Sequence, residues 1–174
     1  MDLLYNNGEG VSESAGLLIS ILMRYPEICA ISYNPDDNHI SLSFSFAGSI
    51  SEERFRRGSA RLNECLATYS YLEGKQPPQV TIHWTTMEKT SLLKVEYDVN
   101  AVSKGEIALI ISFLQEEFGD CLMRDLEIGD PISEDDLLLQ DEFISYMLEK
   151  FKGAVPRKKL IAFREEGKVH VFKK

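Results

Sequence analysis

The clearest alternation of apolar and polar residues lies at Ile40–Phe46. Ile40, Leu42, Phe44 and Phe46 fall on one face, and Ser41, Ser43 and Ser45 on the other, the period of a half-buried strand. Pro35–Asn38 supplies a turn before it, so residues 28–47 read as a hairpin. The pattern returns at 79–99, where Val80, Ile82 and Trp84 oppose Thr81, His83 and Thr85. The second arm there turns Leu93, Val95, Tyr97 and Val99 inward and Lys94, Glu96 and Asp98 outward.

Each hairpin runs into the same helix start. "ISEERF", "VSKGEI" and the later "ISEDDL" each set an apolar residue before a Ser and another four residues after it. The Ser caps the first turn and the apolar pair closes as a staple, with Glu106 completing a capping box on Ser103. "VSESAG" at Val11–Gly16 is a fainter start without the staple partner. A shift of 52 residues lays Ser51 on Ser103, Phe55 on Ile107, Leu62 on Leu114 and Glu64 on Glu116, a repeat of ββα kind.

The predicted order is helix (12–25), hairpin (28–47), helix (51–72), hairpin (79–99) and helix (103–118). A short strand near Cys121–Ile128, a helix (133–152) and a last hairpin (159–173) follow. Hairpins pair antiparallel, so the fold class is α+β, with helices on one face of the sheet. Residues 1–119 form the α-ββ-α-ββ-α body and 120–174 a C-terminal α-ββ appendage. The helix at 107–118 is apolar nearly all round, which makes it the central one.

"LLKVEYDVNAVSKGEIALIISFLQEEFG", with the element order around it, resembles the type III secretion chaperone fold and the YbjN-type proteins. The resemblance covers roughly residues 12–118 and is one of topology. It departs in having two strands, not three, after the first helix, and it leaves 120–174 outside. It implies a dimeric, non-catalytic module that holds another polypeptide.

Composition narrows the classes. The apolar fraction of 44% suffices for a core. The longest apolar runs, Ala15–Met23 and Ile107–Leu114, are too short to span a bilayer, so no membrane insertion is expected. The first run follows acids and no Lys or Arg, unlike a secretory signal. Cys29, Cys65 and Cys121 are odd in number and far apart, which reads as reduced thiols of a cytoplasmic protein without a zinc site. His39, His83 and His170 sit in no context that pairs them with a thiol or carboxylate. The acid doublets lie at turns and helix ends, and "NNGEGV" lacks the strand and Lys of a phosphate loop. The expectation is therefore no catalytic residue, no metal and no cofactor.

Charge is divided along the chain. Residues 150–174 hold nine of the 19 basic residues and only Glu165 and Glu166 of the 28 acids, a charge of +7. Ten basic and 26 acidic residues remain in the first 149, a charge of −16. A turn at Glu166–Gly167 makes facing residue numbers sum to 333, which gathers Arg157, Lys158, Lys159, Lys173 and Lys174 at the hairpin's open end. Such a cluster seeks an anion: the chain's own acidic body first, an acidic protein partner next, nucleic acid after that. Ser41, Ser43, Ser45, Thr81, His83 and Thr85 make a polar sheet face of low relief, a candidate interface. The reading is a non-enzymatic cytoplasmic protein-interaction module (chaperone-like, adaptor or regulatory) that forms a homodimer. The alternative is an RNA- or ribosome-associated protein using the basic hairpin.

Overall fold

The computed structural model describes residues 3–5, 13–125, 133–153 and 158–173. Their elements are β1 (Leu3–Tyr5), α1 (Glu13–Arg24), β2 (Ile28–Asn34), β3 (His39–Ala47), α2 (Glu52–Leu72), β4 (Val80–Thr85) and β5 (Thr90–Asp98). Then come α3 (Lys104–Phe118), α4 (Glu134–Gly153), β6 (Leu160–Glu165) and β7 (Lys168–Lys173). The class is α+β, with the helices on one face of a largely antiparallel sheet.

Local chemistry sets the boundaries. The Ser51, Ser103 and Ser133 hydroxyls each accept from the backbone N–H three residues on, at 3.2, 3.5 and 3.2 Å. Ile50 with Phe55 and Val102 with Ile107 are buried as stapled pairs. The Glu106 carboxylate accepts from the Ser103 hydroxyl, which joins the two side chains of the cap. Glu166 and Gly167 both take positive φ, 51° and 75°, the type I′ form of a two-residue hairpin turn. The register that follows pairs Glu165 with Lys168 and Leu160 with Lys173, the sum of 333 expected from the sequence.

The strand order is β1-β7-β6-β2-β3-β5-β4. The two body hairpins join through β3 and β5, and the C-terminal hairpin joins through β6 and β2. Thus the C-terminal segment continues the same two layers. β1 pairs parallel with β7 over three residues, a length too short to carry any periodic signal. A core row crosses the sheet through Ile82, Val95, Leu42, Ile31, Ala162 and Val171. Above the sheet α3 lies between α2 and α4, and α4 packs on α1. Phe46, Phe55 and Phe118 meet at centroid distances of 5.2–5.6 Å beneath α2. The Ser91 hydroxyl, wholly buried, donates to Gly48 O and accepts from Ile50 N, which fixes the β3–α2 connection.

The strand expected near Cys121–Ile128 is a single bridge, Phe46 to Leu122, flanked by Ala47 N→Cys121 O and Met123 N→Ser45 O. Residues 126–128 lie outside the described residues. β2 reaches only to Phe44 of β3, so the 121–123 segment takes its place along the end of β3. Beside this handover β2 carries a bulge: Ile28 faces Phe44 and Ala30 faces Ser43, with Cys29 the extra residue.

Candidate interaction face

Two rows of facing residues describe the sheet surface opposite the helices. One runs His83, Lys94, Ser43, Ala30, Phe163, His170; the other runs Thr81, Glu96, Ser41, Ser32, Ile161, Phe172. Side-chain size changes along both rows in the same way. Along these rows β2 and β3 contribute Cys29, Ala30, Ser32, Ser41, Ser43 and Ser45, and Asn34 and His39 close the floor at the hairpin turn. To one side β6 and β7 raise Ile161, Phe163, His170 and Phe172; to the other β5 raises Leu92, Lys94 and Glu96. The result is a trough along β2 and β3 with an apolar bank and a charged bank.

The sequence expectation put the serines and the β4 row on two adjacent hairpins; the hairpins join through β3 and β5, so β5 stands between the two rows. Lys94 Nζ lies 3.2 Å from Glu96 Oε1, and His83 Nε2 lies 3.5 Å from Glu96 Oε2. Partial burial pushes the Glu96 carboxyl up, but Lys94 and His83 more than offset this and hold it below the usual carboxylate range. Thr81, His83 and Thr85 are therefore the outer slope of the charged bank, and Ser41, Ser43 and Ser45 are the floor.

The apolar bank is a run of rings. Phe163 stacks on His170 at 5.2 Å with 15° between planes, and on Phe172 at 5.5 Å with 7°. Parallel phenyl rings at that separation overlap and cannot lie side by side in one plane, so each ring turns part of its face to its neighbour. The sequence held this signal: Leu160–Phe163 is apolar at four consecutive positions, so both faces of β6 carry apolar side chains.

At the bulge the trough opens into a cavity of about 260 Å³ lined by Pro26, Glu27, Cys29, Ser45, Met123, Arg124, Asp125, Arg164, Glu166 and Gly167. Glu27 is 4% exposed. Its Oε1 accepts from Gln115 Nε2 at 2.8 Å and lies 3.2 Å from Arg124 Nη2. Its Oε2 has no hydrogen-bond partner among the described residues. Arg164 donates to the carbonyls of Leu22, Pro26 and Ile28, and its Nε lies 3.4 Å from Asp125 Oδ2. The Cys29 thiol donates to Ser43 O at 3.2 Å, and burial pushes its pKa up. Sequence reasoning missed Glu27, Arg124, Asp125 and Arg164, because no periodic pattern marks residues that meet at a bulge.

Of the basic cluster, Lys158 is exposed and Lys159 and Lys173 are half-buried at the hairpin's open end. Arg157 and Lys174 lie outside the described residues. Among the described residues no carboxylate stands within 4 Å of Lys158, Lys159 or Lys173; the hairpin is held by the β6–β2 ladder and Arg164. The three histidines sit apart, each near its own carboxylate: His39 at Asp37, His83 at Glu96 and His170 at Glu165. Among the described residues no group of three His, Cys, Asp or Glu could hold a metal ion, and no helix is long and apolar enough to cross a membrane. No known family model, curated protein or solved structure matches the chain.

Proposed function

We propose that this chain is a non-enzymatic, cytoplasmic protein-interaction module, chaperone-like or regulatory, that receives a helical segment of another polypeptide in the trough. One observation carries the reading: small side chains floor two adjacent strands between an apolar bank and a charged one. From β5 to β6 is three strand spacings, about 14 Å at ~4.8 Å each. An α-helix with its side chains measures about 10–12 Å across, so a helix over the floor interleaves its side chains with those of the two banks. A partner of this kind carries Leu- or Phe-type residues toward Phe163 and Phe172, and mixed charges toward Lys94, Glu96 and His83.

The rival reading is RNA binding. Lys158, Lys159 and Lys173, without ion pairs among the described residues, stand on the ring-bearing hairpin and favour it. Against it, the rings turn their faces partly to one another, and Glu96 and Glu165 flank the surface. A stacking platform needs free ring faces and a positive field. Helical peptides selected by display on the immobilised chain test the choice. Ser43→Trp fills the trough floor without touching the core, and is expected to weaken a selected peptide at least tenfold with no change in melting. Equal affinity for both chains would sink the proposal. Binding of a single-stranded oligonucleotide that weakens steeply with salt and survives Ser43→Trp would favour the RNA reading.

A further inference from the structure

The sheet has two edges, and the molecule treats them differently. β7 is covered by β1, a three-residue strand. β4 ends the other side, and among the described residues nothing pairs with its outer edge. Folded proteins blunt an open edge with charge, proline, a bulge or a very short strand. β4 has six residues, Val80–Thr85, and contains none of these devices.

Its side chains make the same point. Val95, Leu93 and Tyr97 on the core side of β5 are at most 1% exposed, whereas their neighbours Ile82, Trp84 and Val80 on β4 are only half-buried. The core layer thus continues to the edge and stops uncovered. α2 overlies β4, and Trp84 stacks on Phe55 at 6.2 Å, so the helix covers the inner part of this row. On the flank of α2 opposite Arg54 and Arg61, which face α3, the exposed residues include Ala60, Asn63 and Ala67. Arg56, one turn earlier on the same stripe, is a long charged group that pairs with Glu53 at 2.9 Å; these three are short and leave the middle of the edge open.

We propose that β4 pairs antiparallel with β4 of a second copy of this chain, about a two-fold axis through Ile82, doubling the sheet. This deepens the self-association expected of an interaction module and names its surface. A two-fold axis demands an even sum of facing residue numbers, because facing side chains share a face. A sum of 164 sets Val80 against Trp84 and Ile82 against Ile82, so all three half-buried residues meet apolar mates. A sum of 166 sets Val80 against Thr86 and His83 against His83, which covers less and opposes two histidines. The first register is assigned on that ground. A second copy is self-complementary in this way: the strand has no Lys, Arg, Asp or Glu, His83 is turned to Glu96 of its own chain, and the backbone pattern repeats under the two-fold. An isologous interface of ordinary size needs about 800 Å² per partner, so the strand row has to be joined by the adjoining α2 flanks to reach it.

Sedimentation at micromolar concentration should give twice the chain's 19.8 kDa. Each copy has a net charge of −9, so the dimer should hold or tighten as salt is added, opposite to nucleic-acid binding. Ile82→Arg should return the mass to that of one chain. Thr81 and His83 of different copies face each other in the assigned register. A Thr81→Cys, His83→Cys chain, which leaves the core side intact, should therefore cross-link between copies on mild oxidation, while the parent does not. The proposal is overturned if the parent sediments as one chain. It is equally overturned if the mass survives Ile82→Arg and the paired cysteines do not cross-link; should Ile82→Arg fail to fold, the cross-link decides. The trough is a separate surface. Ser43→Trp should keep the dimer and Ile82→Arg should keep peptide affinity, so either reading can fail without the other.

Discussion

Replacing Arg164 by Ala should destabilise the chain by about 3 kcal/mol, mostly through backbone carbonyls and little through Asp125. The side chain is 5% exposed and follows Leu160 and Ala162 on the core face of β6. Its guanidinium serves Leu22 O at the end of α1, Pro26 O in the connection and Ile28 O at the start of β2. Each charge-assisted bond contributes roughly 1.5–3 kcal/mol, and each buried carbonyl left without a donor costs ~1–3 kcal/mol. Three full losses would exceed about 5 kcal/mol, but the adjoining cavity of about 260 Å³ admits water to some of these groups, which lowers the sum to about 3. Asp125 has a side chain 36% exposed and its contact is 3.4 Å, so Asp125→Asn should cost under about 1 kcal/mol. For a chain of this length ~3 kcal/mol lowers the melting temperature by roughly 6–12 °C. Arg164→Lys should fall between, since one ammonium cannot span three carbonyls in a fork. Urea denaturation followed by far-UV circular dichroism reads all three variants. If Arg164→Ala loses less than Asp125→Asn, the carbonyl account is wrong.

Two further predictions concern the helix layer. Gly58→Ala gains about 1 kcal/mol in helix propensity, yet its Cβ would stand 2.8 Å from Phe118 Cζ. Phe46, Phe55 and Arg54 hold that ring on its other sides, so overpacking of ~1–3 kcal/mol should win and urea should unfold the variant earlier. In α4, partial burial pushes Asp141 up, but Arg24 at 2.8 Å and Lys104 at 3.3 Å more than offset this and hold it below the usual carboxylate range. Its contribution is therefore present above the unfolded value of about 3.9 and lost as pH falls through the lower folded value. Asp141→Asn should flatten the acid limb of stability against pH below about 4, and an unchanged limb would assign acid unfolding to other carboxylates.

Features set by neighbours in the chain were legible; features set by distant segments were not. Ser51, Ser103 and Ser133 marked three helix starts because capping is decided within four residues. Glu166–Gly167 fixed the last register because a glycine in a two-residue loop favours the positive φ values that close a tight hairpin. Nothing local told that β6 would choose β2, since its alternation suits any open edge. That choice lays the Phe163–His170–Phe172 rings beside the serine floor and so makes the trough. The same blindness separated Ser43 from His83 by a strand: the alternation gave each residue its face, while β3–β5 pairing placed Lys94 between them. Arg164 follows Leu160 and Ala162 on the core face of β6, so its face was legible, but the carbonyls of Leu22, Pro26 and Ile28 that it serves come from a distant segment.

The reading of the trough as a polypeptide site is tested most directly by backbone amide shifts as a display-selected helical peptide is titrated into the isotope-labelled chain. The account predicts perturbations along Ala30, Ser32, Ser41, Ser43, Ile161 and Phe163, with β4 and the outer faces of the helices unchanged. Perturbations confined to α4 or to the α2 surface, with the sheet rows silent, would contradict it.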